Sequence, residues 1–399
     1  MPPCSGPATP AISIRRPRRR RRAKRTRGER IRRVRELALL SSVVVITIVL
    51  WDAFETVVLP RTVSRRLRLT RLYFRVTWLT WGRSATLFRA EGRRERFLAV
   101  FGPLSLLGLV GVWALGLIVG FAGLHWSVGS HLRPLGSEIP FLDDLYMSGT
   151  TFFTLGLGDL QPVGRVARFL TVAEAGMGFA FLALVIAYFP VLYQSFSRRE
   201  AQLTLLDAWA GSPPAAAEVL RRLAARNEMA ALQTFLKDWE YWCSELLESH
   251  ISYPSVAFFR SQHQRQSWVS ALATILNLSA LVEVGVEGVP TWQAHVTFAI
   301  ARHAAVDLAQ VLRAEPDTAA DRLSDGELEE LRGQLESVGL KPARSIEADR
   351  HLLTLRRSYE PYISALARRL MMPAPSWSHP QGVKDNWQTS PRGAAEAHL

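Results

Sequence analysis

Two long apolar runs stand out in the pattern of hydrophobic and polar positions, and a shorter mixed segment separates them. Phe97 to Leu124 contains no charged residue, and Phe169 to Tyr193 contains only one, Glu174. Each run exceeds the about 20 residues that a helix needs to cross a bilayer. We therefore expect an outer membrane helix over residues 97–125 and an inner membrane helix over residues 168–195.

The segment between these runs predicts a short helix over residues 140–153. Pro140 falls in its first turn, where proline is tolerated, and Ser137 and Glu138 precede it as candidate caps. A helix of about four turns is too short to cross a membrane, so it must re-enter. Its carboxyl end would then point toward the middle of the membrane, where the negative end of the helix dipole stabilises a cation.

The short helix leads into a loop, residues 154–159, with glycines at alternate positions. Gly156 and Gly158 allow backbone conformations in which successive carbonyl oxygens point toward one axis, and such oxygens can replace the water around a cation. We expect Thr154, Leu155, Gly156, Leu157 and Gly158 to line this candidate ion filter, with Asp159 as a negative charge at the outer mouth. Because the chain carries one such loop, a closed ring requires four subunits.

A tight turn between two helices is the other explanation of the glycine pattern. A nucleotide-binding loop does not explain the glycine pattern, because the GxGxxG and GxxxxGK[ST] spacings are both missing and no strand pattern precedes the loop.

Residues 146–162 resemble the pore loop of two-helix-per-subunit potassium channels. Arg168 and Gly178 fall where that family keeps an arginine and a gating-hinge glycine on its inner helix. The resemblance extends from about Phe97 to Tyr193. It implies a homotetrameric pore that is selective for potassium, with K⁺ as the permeant ion.

Two positions depart from the pattern of that family. Leu155 and Leu157 stand where the family usually has valine and tyrosine, and the pore helix keeps only Tyr146 of the usual aromatic pair. The carbonyl ladder survives both changes, but the hydrogen-bonded collar behind the filter weakens. A less selective cation pore therefore stays an alternative.

The inner helix contains two features that predict bending. Gly178 and Pro190 weaken the helix, as a gating hinge or kink, although small residues also permit close helix packing. Glu174 is costly in hydrocarbon unless it is buried or neutral, which makes it a candidate proton sensor. The alternative for Glu174 is a structural hydrogen bond to a pore-helix hydroxyl such as Thr150 or Thr151.

Arginine dominates the amino-terminal part of the chain. We expect residues 1–36 to be a disordered arginine-rich terminus, residues 37–59 an uncleaved membrane helix, and residues 60–96 a basic interfacial segment whose Trp78 and Trp81 belong to an amphipathic helix. The formal net charge is +14, and the basic residues concentrate beside apolar spans. Anionic lipid headgroups are therefore the expected partner, and nucleic acid is not.

Orientation leaves two alternatives open. The pore requires the region before Phe97 to be cytoplasmic, and the arginine-rich terminus also favours the cytoplasm. A single crossing by residues 37–59 cannot satisfy both requirements. Either the terminus lies outside against its charge, or residues 72–88 cross the membrane as well.

The second half of the chain predicts an all-α cytoplasmic domain over residues 200–372, followed by a disordered tail over residues 373–399. Its amphipathic helices lack the alternating strand pattern of a Rossmann domain. The histidines have no metal-ligand spacing, and the two cysteines, Cys4 and Cys243, do not suggest a disulfide scaffold. We therefore expect no enzyme activity, no cofactor and no metal other than K⁺ in the filter.

These patterns together predict an all-α integral membrane protein: a helix, re-entrant pore loop and helix, with an extra amino-terminal helix and a helical cytoplasmic domain. The favoured function is passive potassium transport across a bacterial cell membrane, gated by a ligand that the sequence leaves unknown. A membrane-anchored sensor or adaptor with a partner-binding helical domain is the alternative from another class. A membrane-bound enzyme ranks third.

Overall fold

The computed structural model describes residues 18–59, 68–129, 131–133, 140–263, 265–373, 376–378 and 384–388. These residues are mostly helical, which confirms the predicted all-α class. In chain order the elements are α1 Arg18–Val57, α2 Leu69–Ala85, α3 Glu91–Val128, β1 His131–Arg133, α4 Pro140–Phe152, β2 Gln161–Val163, α5 Arg165–Ala210, α6 Ala216–Ala225, α7 Ala231–Ser252, α8 Trp268–Val284, α9 Trp292–Val311, α10 Asp325–Glu336, α11 Ile346–Arg357 and α12 Glu360–Leu370, with 3₁₀ turns at Pro254–Phe258 and Asn386–Gln388.

Within the described residues, three helices are long and apolar enough to cross a membrane. They are the Arg32–Val57 part of α1, α3 and α5. The chain is therefore a membrane protein with the two predicted pore helices and the predicted extra amino-terminal helix.

The start of α1 corrects the prediction of disorder for the described residues 18–36 of the amino-terminal segment. The helix begins at Arg18 and continues through the arginine block into the apolar run. Arginine is a good helix former, and extending an existing helix is far less costly than starting one. An ion pair of 2.9 Å between Arg32 Nε and Glu36 Oε1 adds support on the helix surface. Residues 1–17 and 60–67 of the predicted segments lie outside the described residues.

The chain divides into two compact units. The first contains the described residues up to Leu50 together with Trp113–Leu182, and the second contains Trp51–Val112 together with Ala183 and the described residues after it. The first unit therefore holds the pore loop with the neighbouring parts of α3 and α5, and the second holds the remaining parts of α3 and α5 together with α2 and α6–α12.

Glycines on α3 let α1 pack closely against it in the first unit. A Cβ on Gly120 would lie 2.5 Å from Ile46 Cγ1, and one on Gly116 would lie 2.8 Å from Val49 Cγ2. Small residues spaced in this way allow membrane helices to approach each other. As the α1 residue number rises, the α3 number falls, so the two helices are antiparallel.

The core of the second unit surrounds α8. Every residue of α8 from Trp268 to Val282 is buried, and α6, α7, α9, α11 and α12 contact it. A helix that is apolar on all sides has to be buried, and 17 residues are fewer than a membrane span requires. The amphipathic helices around α8 turn their apolar faces inward.

The α2 helix corrects the picture of residues 60–96 as an interfacial segment. Trp78 is 5% exposed, and its indole Nε1 donates a hydrogen bond of 3.0 Å to the carbonyl oxygen of Arg369. Trp81 stacks on Phe97 with ring centroids 4.5 Å apart. Both tryptophans therefore pack against protein, because the second unit offers them apolar and hydrogen-bonding partners that the local sequence does not reveal. Of the two topological alternatives, this placement favours the one in which α2 does not cross.

The two pore helices are both longer than predicted. The outer helix starts at Glu91, and the inner helix runs from Arg165 to Ala210 without the break expected before residue 200. No glycine or proline occurs between Val191 and Ala210, so nothing interrupts the helix until Gly211, whose φ is +80°. Arg199, on this extension, is 4% exposed and donates to the carbonyl oxygens of Val256 (3.1 Å) and Phe259 (2.8 Å).

The described parts of the predicted disordered tail are packed. Trp377 is 3% exposed and lies under the Arg356 guanidinium, whose carbon is 5.7 Å from the ring centroid. Asp385 forms an ion pair of 2.6 Å with Arg222. The polar composition of the tail did not predict these contacts, because each depends on a partner residue far away in the sequence. Trp387 remains 47% exposed.

Candidate ion-conduction site

The pore helix α4 positions the loop. Its 13 residues span about 20 Å, less than the about 30 Å hydrocarbon core, so the helix can enter the membrane but cannot cross it. It begins at Pro140 and ends at Phe152, two residues before Thr154. The negative end of its dipole therefore lies next to the candidate filter.

The backbone of the loop alternates in handedness. Thr154, Gly156 and Gly158 have positive φ angles of 57°, 54° and 75°, whereas Leu155 and Leu157 do not. Alternation of this kind turns successive carbonyl groups toward the same side of the chain. The glycines adopt these angles without the about 1–2 kcal/mol that a residue with a Cβ loses there. The loop thus takes left-handed backbone conformations at both of the glycines that the sequence singles out.

The last turn of α4 holds the loop in place through backbone hydrogen bonds. The carbonyl oxygen of Thr150 accepts from the N–H groups of Leu155 (2.8 Å) and Gly156 (3.3 Å). The carbonyl oxygen of Thr151 accepts from the N–H of Thr154 at 3.0 Å. These bonds fasten the inner end of the loop to the pore helix, and they use carbonyls that a helix end otherwise leaves unpaired.

The outer end of the loop has its own supports. The Tyr146 hydroxyl lies near the Asp159 carboxylate, and Gln161 Nε2 donates to the Gly158 carbonyl oxygen at 3.3 Å. Strands β1 and β2 pair antiparallel, with His131 opposite Val163. The sequence suggested Tyr146 as a remnant of an aromatic pair, but its proximity to Asp159 was not foreseen.

A buried polar cluster lies behind the pore helix, at Glu174. The Glu174 carboxyl contacts the Ser148 hydroxyl through Oε1 and lies 3.3 Å from His125 Nε2 through Oε2. All three side chains are completely buried. The expected hydroxyl partner therefore exists, but it is Ser148; Thr150 Oγ1 instead donates to the Met147 carbonyl oxygen of its own helix. His125 was not among the predicted site residues, although a histidine in the last turns of an apolar span indicates a functional or buried polar site.

The two bending candidates of the inner helix differ in their surroundings. A Cβ on Gly178 would overlap the carbonyl oxygen of Phe152, so this glycine allows α5 to touch the end of α4. Gly176 has no atom within 4 Å of a Cβ built there. Pro190 lies within α5, which stays helical through it. Close packing thus explains Gly178, and the hinge stays a prediction.

No group of three His, Cys, Asp or Glu side chains within the described ranges could hold a metal ion. His250, one of the scattered histidines, is buried with Nε2 3.1 Å from Arg199 Nη1. His295 and His303 each pair with one carboxylate, those of Glu283 and Asp307.

Comparison with known proteins places the similarity on these same elements. The family model described as "Ion channel" matches residues 108–194, from the middle of α3 through the loop to the middle of α5. Protein LctB of Geobacillus stearothermophilus is 33% identical over 117 residues, which cover 28% of this chain and 87% of that protein. Protein LctB of Bacillus caldotenax is 28% identical over 93 residues, 21% of this chain and 69% of that protein.

A longer similarity links the chain to an uncharacterized membrane protein, YdjJ of Bacillus subtilis strain 168. The two are 22% identical over 202 residues, which are 50% of this chain and 58% of YdjJ. The match thus spans little more than half of that relative. No solved structure matches the chain.

Proposed function

This chain belongs to the ion-channel family, and we propose that four copies of it form a potassium-selective pore through which K⁺ crosses a bacterial cell membrane passively. The alternating backbone of residues 154–158 at the carboxyl end of α4 is the observation that carries the proposal. Membership of the family supports a transport role rather than an enzymatic one.

In the proposed pore, the ion exchanges its water shell for protein oxygens. The Thr154 hydroxyl and the carbonyl oxygens of residues 154–158 supply these oxygens, and Asp159 attracts cations at the outer mouth. The α4 dipole stabilises an ion on the inner side of the filter. Bending near Gly178 or Pro190 would open and close the inner end of the pore.

The single subunit supports assembly into a tetramer. Apolar side chains of the loop and of the neighbouring part of α5 are more than half exposed; they are Leu155, Leu157, Phe169, Val172 and Phe179. One loop cannot surround an ion, whereas four loops about a common axis can. Assembly would also cover the leucines of the loop, which would otherwise meet water.

Residues 200–372 are the proposed cytoplasmic domain, which would transmit the signal of an unidentified gating ligand to α5. Exposed arginines next to the spans, Arg93, Arg96 and Arg198, are suited to anionic lipid headgroups on that side. Buried Arg199 is not available for this role.

A less selective cation channel is the second candidate. It is favoured by Leu157, which has no hydroxyl to brace the filter from behind. The hydrogen bond from Gln161 Nε2 to the Gly158 carbonyl oxygen supports the selective alternative, because it braces the outer end of the loop.

Reconstitution into liposomes tests the proposal. Purified protein should carry K⁺ down its gradient, and reversal potentials with K⁺ on one side and Na⁺ on the other should follow the K⁺ gradient. A reversal potential near zero would support the less selective pore. Complete lack of cation flux, with an intact oligomer, would favour the sensor or adaptor alternative.

A further inference from the structure

We propose that His125, Glu174 and Ser148 act as positioning residues for the ion filter, and that Glu174 performs this role as a neutral carboxylic acid. This inference rests on the proposed channel function. It concerns three side chains on three different elements: His125 on α3, Ser148 on α4 and Glu174 on α5.

The Ser148 hydroxyl contacts two oxygen atoms but can donate a hydrogen bond to only one of them. Ser148 Oγ lies 2.8 Å from the carbonyl oxygen of Ile118 on α3, which can only accept a hydrogen bond. A serine hydroxyl has one hydrogen, and the contact with Ile118 uses it. The contact between Ser148 Oγ and Glu174 Oε1 then needs a hydrogen from the carboxyl group. An ionised Glu174 would instead compete with Ile118 for that single hydrogen.

The contact of the second Glu174 oxygen, Oε2, with His125 is also consistent with an uncharged Glu174. His125 Nε2 is 3.3 Å from Glu174 Oε2, whereas a hydrogen bond between charged partners is usually about 2.7–2.9 Å long. Both side chains are 0% exposed, and burying charged groups is costly. A neutral Glu174 avoids a buried charge at this contact.

Two hydrogen bonds and one contact form a closed path among the three elements. His125 on the outer helix lies against Glu174 on the inner helix, Glu174 bonds to Ser148 on the pore helix, and Ser148 bonds to Ile118 on the outer helix. Ser148 lies two residues before Thr150, whose carbonyl oxygen holds the loop. The path therefore fixes the position of the helix to which the filter is fastened. Loss of the proton from Glu174 would break the path and place a negative charge beside that helix.

Other polar groups lie near the cluster in sequence or near its elements. Asp144 is buried one turn before Ser148 on α4, and α1 places the Ser42 hydroxyl against Gly123 and the Arg35 guanidinium near Gly129. All of them are present in any variant of Glu174. A difference in pH response between the protein and its Glu174 variant therefore reports on Glu174.

The test compares Glu174→Gln and Glu174→Ala in liposomes by K⁺/Na⁺ reversal potentials. Glutamine can donate its N–H to Ser148 and stays neutral, so we expect its permeability ratio to stay within about twofold of that of the unchanged protein, while alanine lowers the ratio about tenfold through the loss of a buried partner. Ser148→Ala should resemble Glu174→Ala. Thr171→Ala is the matched control, because the Thr171 hydroxyl bonds only to the Ala167 carbonyl oxygen of its own helix.

The pH profile separates positioning by a neutral acid from a merely structural contact. The unchanged protein should lose selectivity as pH rises and Glu174 loses its proton, whereas Glu174→Gln should not follow that loss. The inference is wrong if Glu174→Gln lowers the permeability ratio as much as Glu174→Ala does. It is also wrong if the pH profiles of the unchanged protein and of Glu174→Gln coincide. The profiles of the unchanged protein and the glutamine variant decide this even if the alanine variant does not assemble. Lack of K⁺ flux in the unchanged protein would instead contradict the proposed function.

Discussion

Gly178 of the inner helix lies against the carbonyl oxygen of Phe152, the last residue of the pore helix, so closely that a Cβ on Gly178 would overlap that oxygen. The contact makes the end of the pore helix, and with it the filter, sensitive to the position of α5. Any movement of α5 at this level must either shift the filter or open a gap behind it.

Replacement of Gly178 by alanine should therefore destabilise the pore. Forcing an extra methyl group into a packed site costs about 1–3 kcal/mol, and the methyl would push α5 away from Phe152. Gly176→Ala is the matched control in the same helix, where a Cβ meets nothing within 4 Å. We expect a lower melting temperature of the purified oligomer for Gly178→Ala alone. Equal stability of both variants, with similar changes in channel opening, would favour a hinge over packing.

The filter geometry predicts a loss of conduction in Gly156→Ala. Gly156 has a φ of 54°, and a Cβ there would contact no atom of the same subunit, so the cost is conformational rather than steric. Relief of about 1–2 kcal/mol of strain would turn the carbonyl groups away from the axis. Potassium flux into liposomes measures the loss.

The matched control for this change is Gly333→Ala, on α10, where a Cβ also meets nothing and φ is not positive. Its flux should equal that of the unchanged protein. Size-exclusion chromatography checks that both variants keep the same assembly. Normal flux and selectivity in Gly156→Ala would contradict the proposed role of the loop.

The pore elements could be predicted because their signals are local. A charge-free run, a short helix that begins with proline and alternate glycines each lie within about 30 residues of sequence, and the structure has helices or a left-handed backbone there. Element ends were less predictable. The start of α1 at Arg18 and the continuation of α5 to Ala210 depend on helix extension, which a change in polarity along the chain does not reveal.

Long-range contacts were beyond the reach of local patterns. Trp78 was expected to face the membrane interface, yet its hydrogen-bond acceptor is 291 positions away, at Arg369. Trp377 lies in a segment whose composition is typical of disorder, and the guanidinium that lies over its ring belongs to Arg356 of another element. Glu174 could be recognised as unusual from sequence, but which hydroxyl would meet it, and that His125 would join it, depended on how three helices pack.

Stability of the second unit should fall in mild acid because of His250. Burial lowers the pKa of His250 well below its ordinary value, and the positive charge of Arg199 lowers it further. The unfolded chain takes up this proton near pH 6.5, while the folded chain does not. The contribution of His250 to stability is therefore complete above about pH 6.5 and declines below it, by up to about 1.4 kcal/mol per pH unit.

His250→Gln should reduce the decline in unfolding free energy below about pH 6.5, because glutamine can still accept a hydrogen bond from Arg199 but cannot become charged. Denaturant unfolding at pH 7, 6 and 5 measures the slope. His303→Gln is the control, since the side chain of His303 is 58% exposed. An unchanged slope in His250→Gln would show that other groups cause the acid sensitivity.

Labelling from the two sides of the membrane tests the orientation of α1. Three helices of the described residues are candidates to cross, and three crossings would place Arg33 and Arg350 on opposite sides of the membrane. Cysteines introduced as Arg33→Cys, at the start of the apolar part of α1, and Arg350→Cys, on α11, should therefore react with a membrane-impermeant maleimide from opposite sides. Both positions are exposed.

The chain suits this experiment because it has two cysteines, of which Cys243 is buried and Cys4 can be replaced by serine in every variant. In intact cells Arg33→Cys should be labelled and Arg350→Cys should not, while both should be labelled after permeabilisation. This result would place the arginine-rich start of α1 outside, against the usual charge bias, which close packing of α1 on the glycines of α3 would have to overcome. Labelling of both cysteines from the same side would mean an even number of crossings, and α2 would then have to span the membrane.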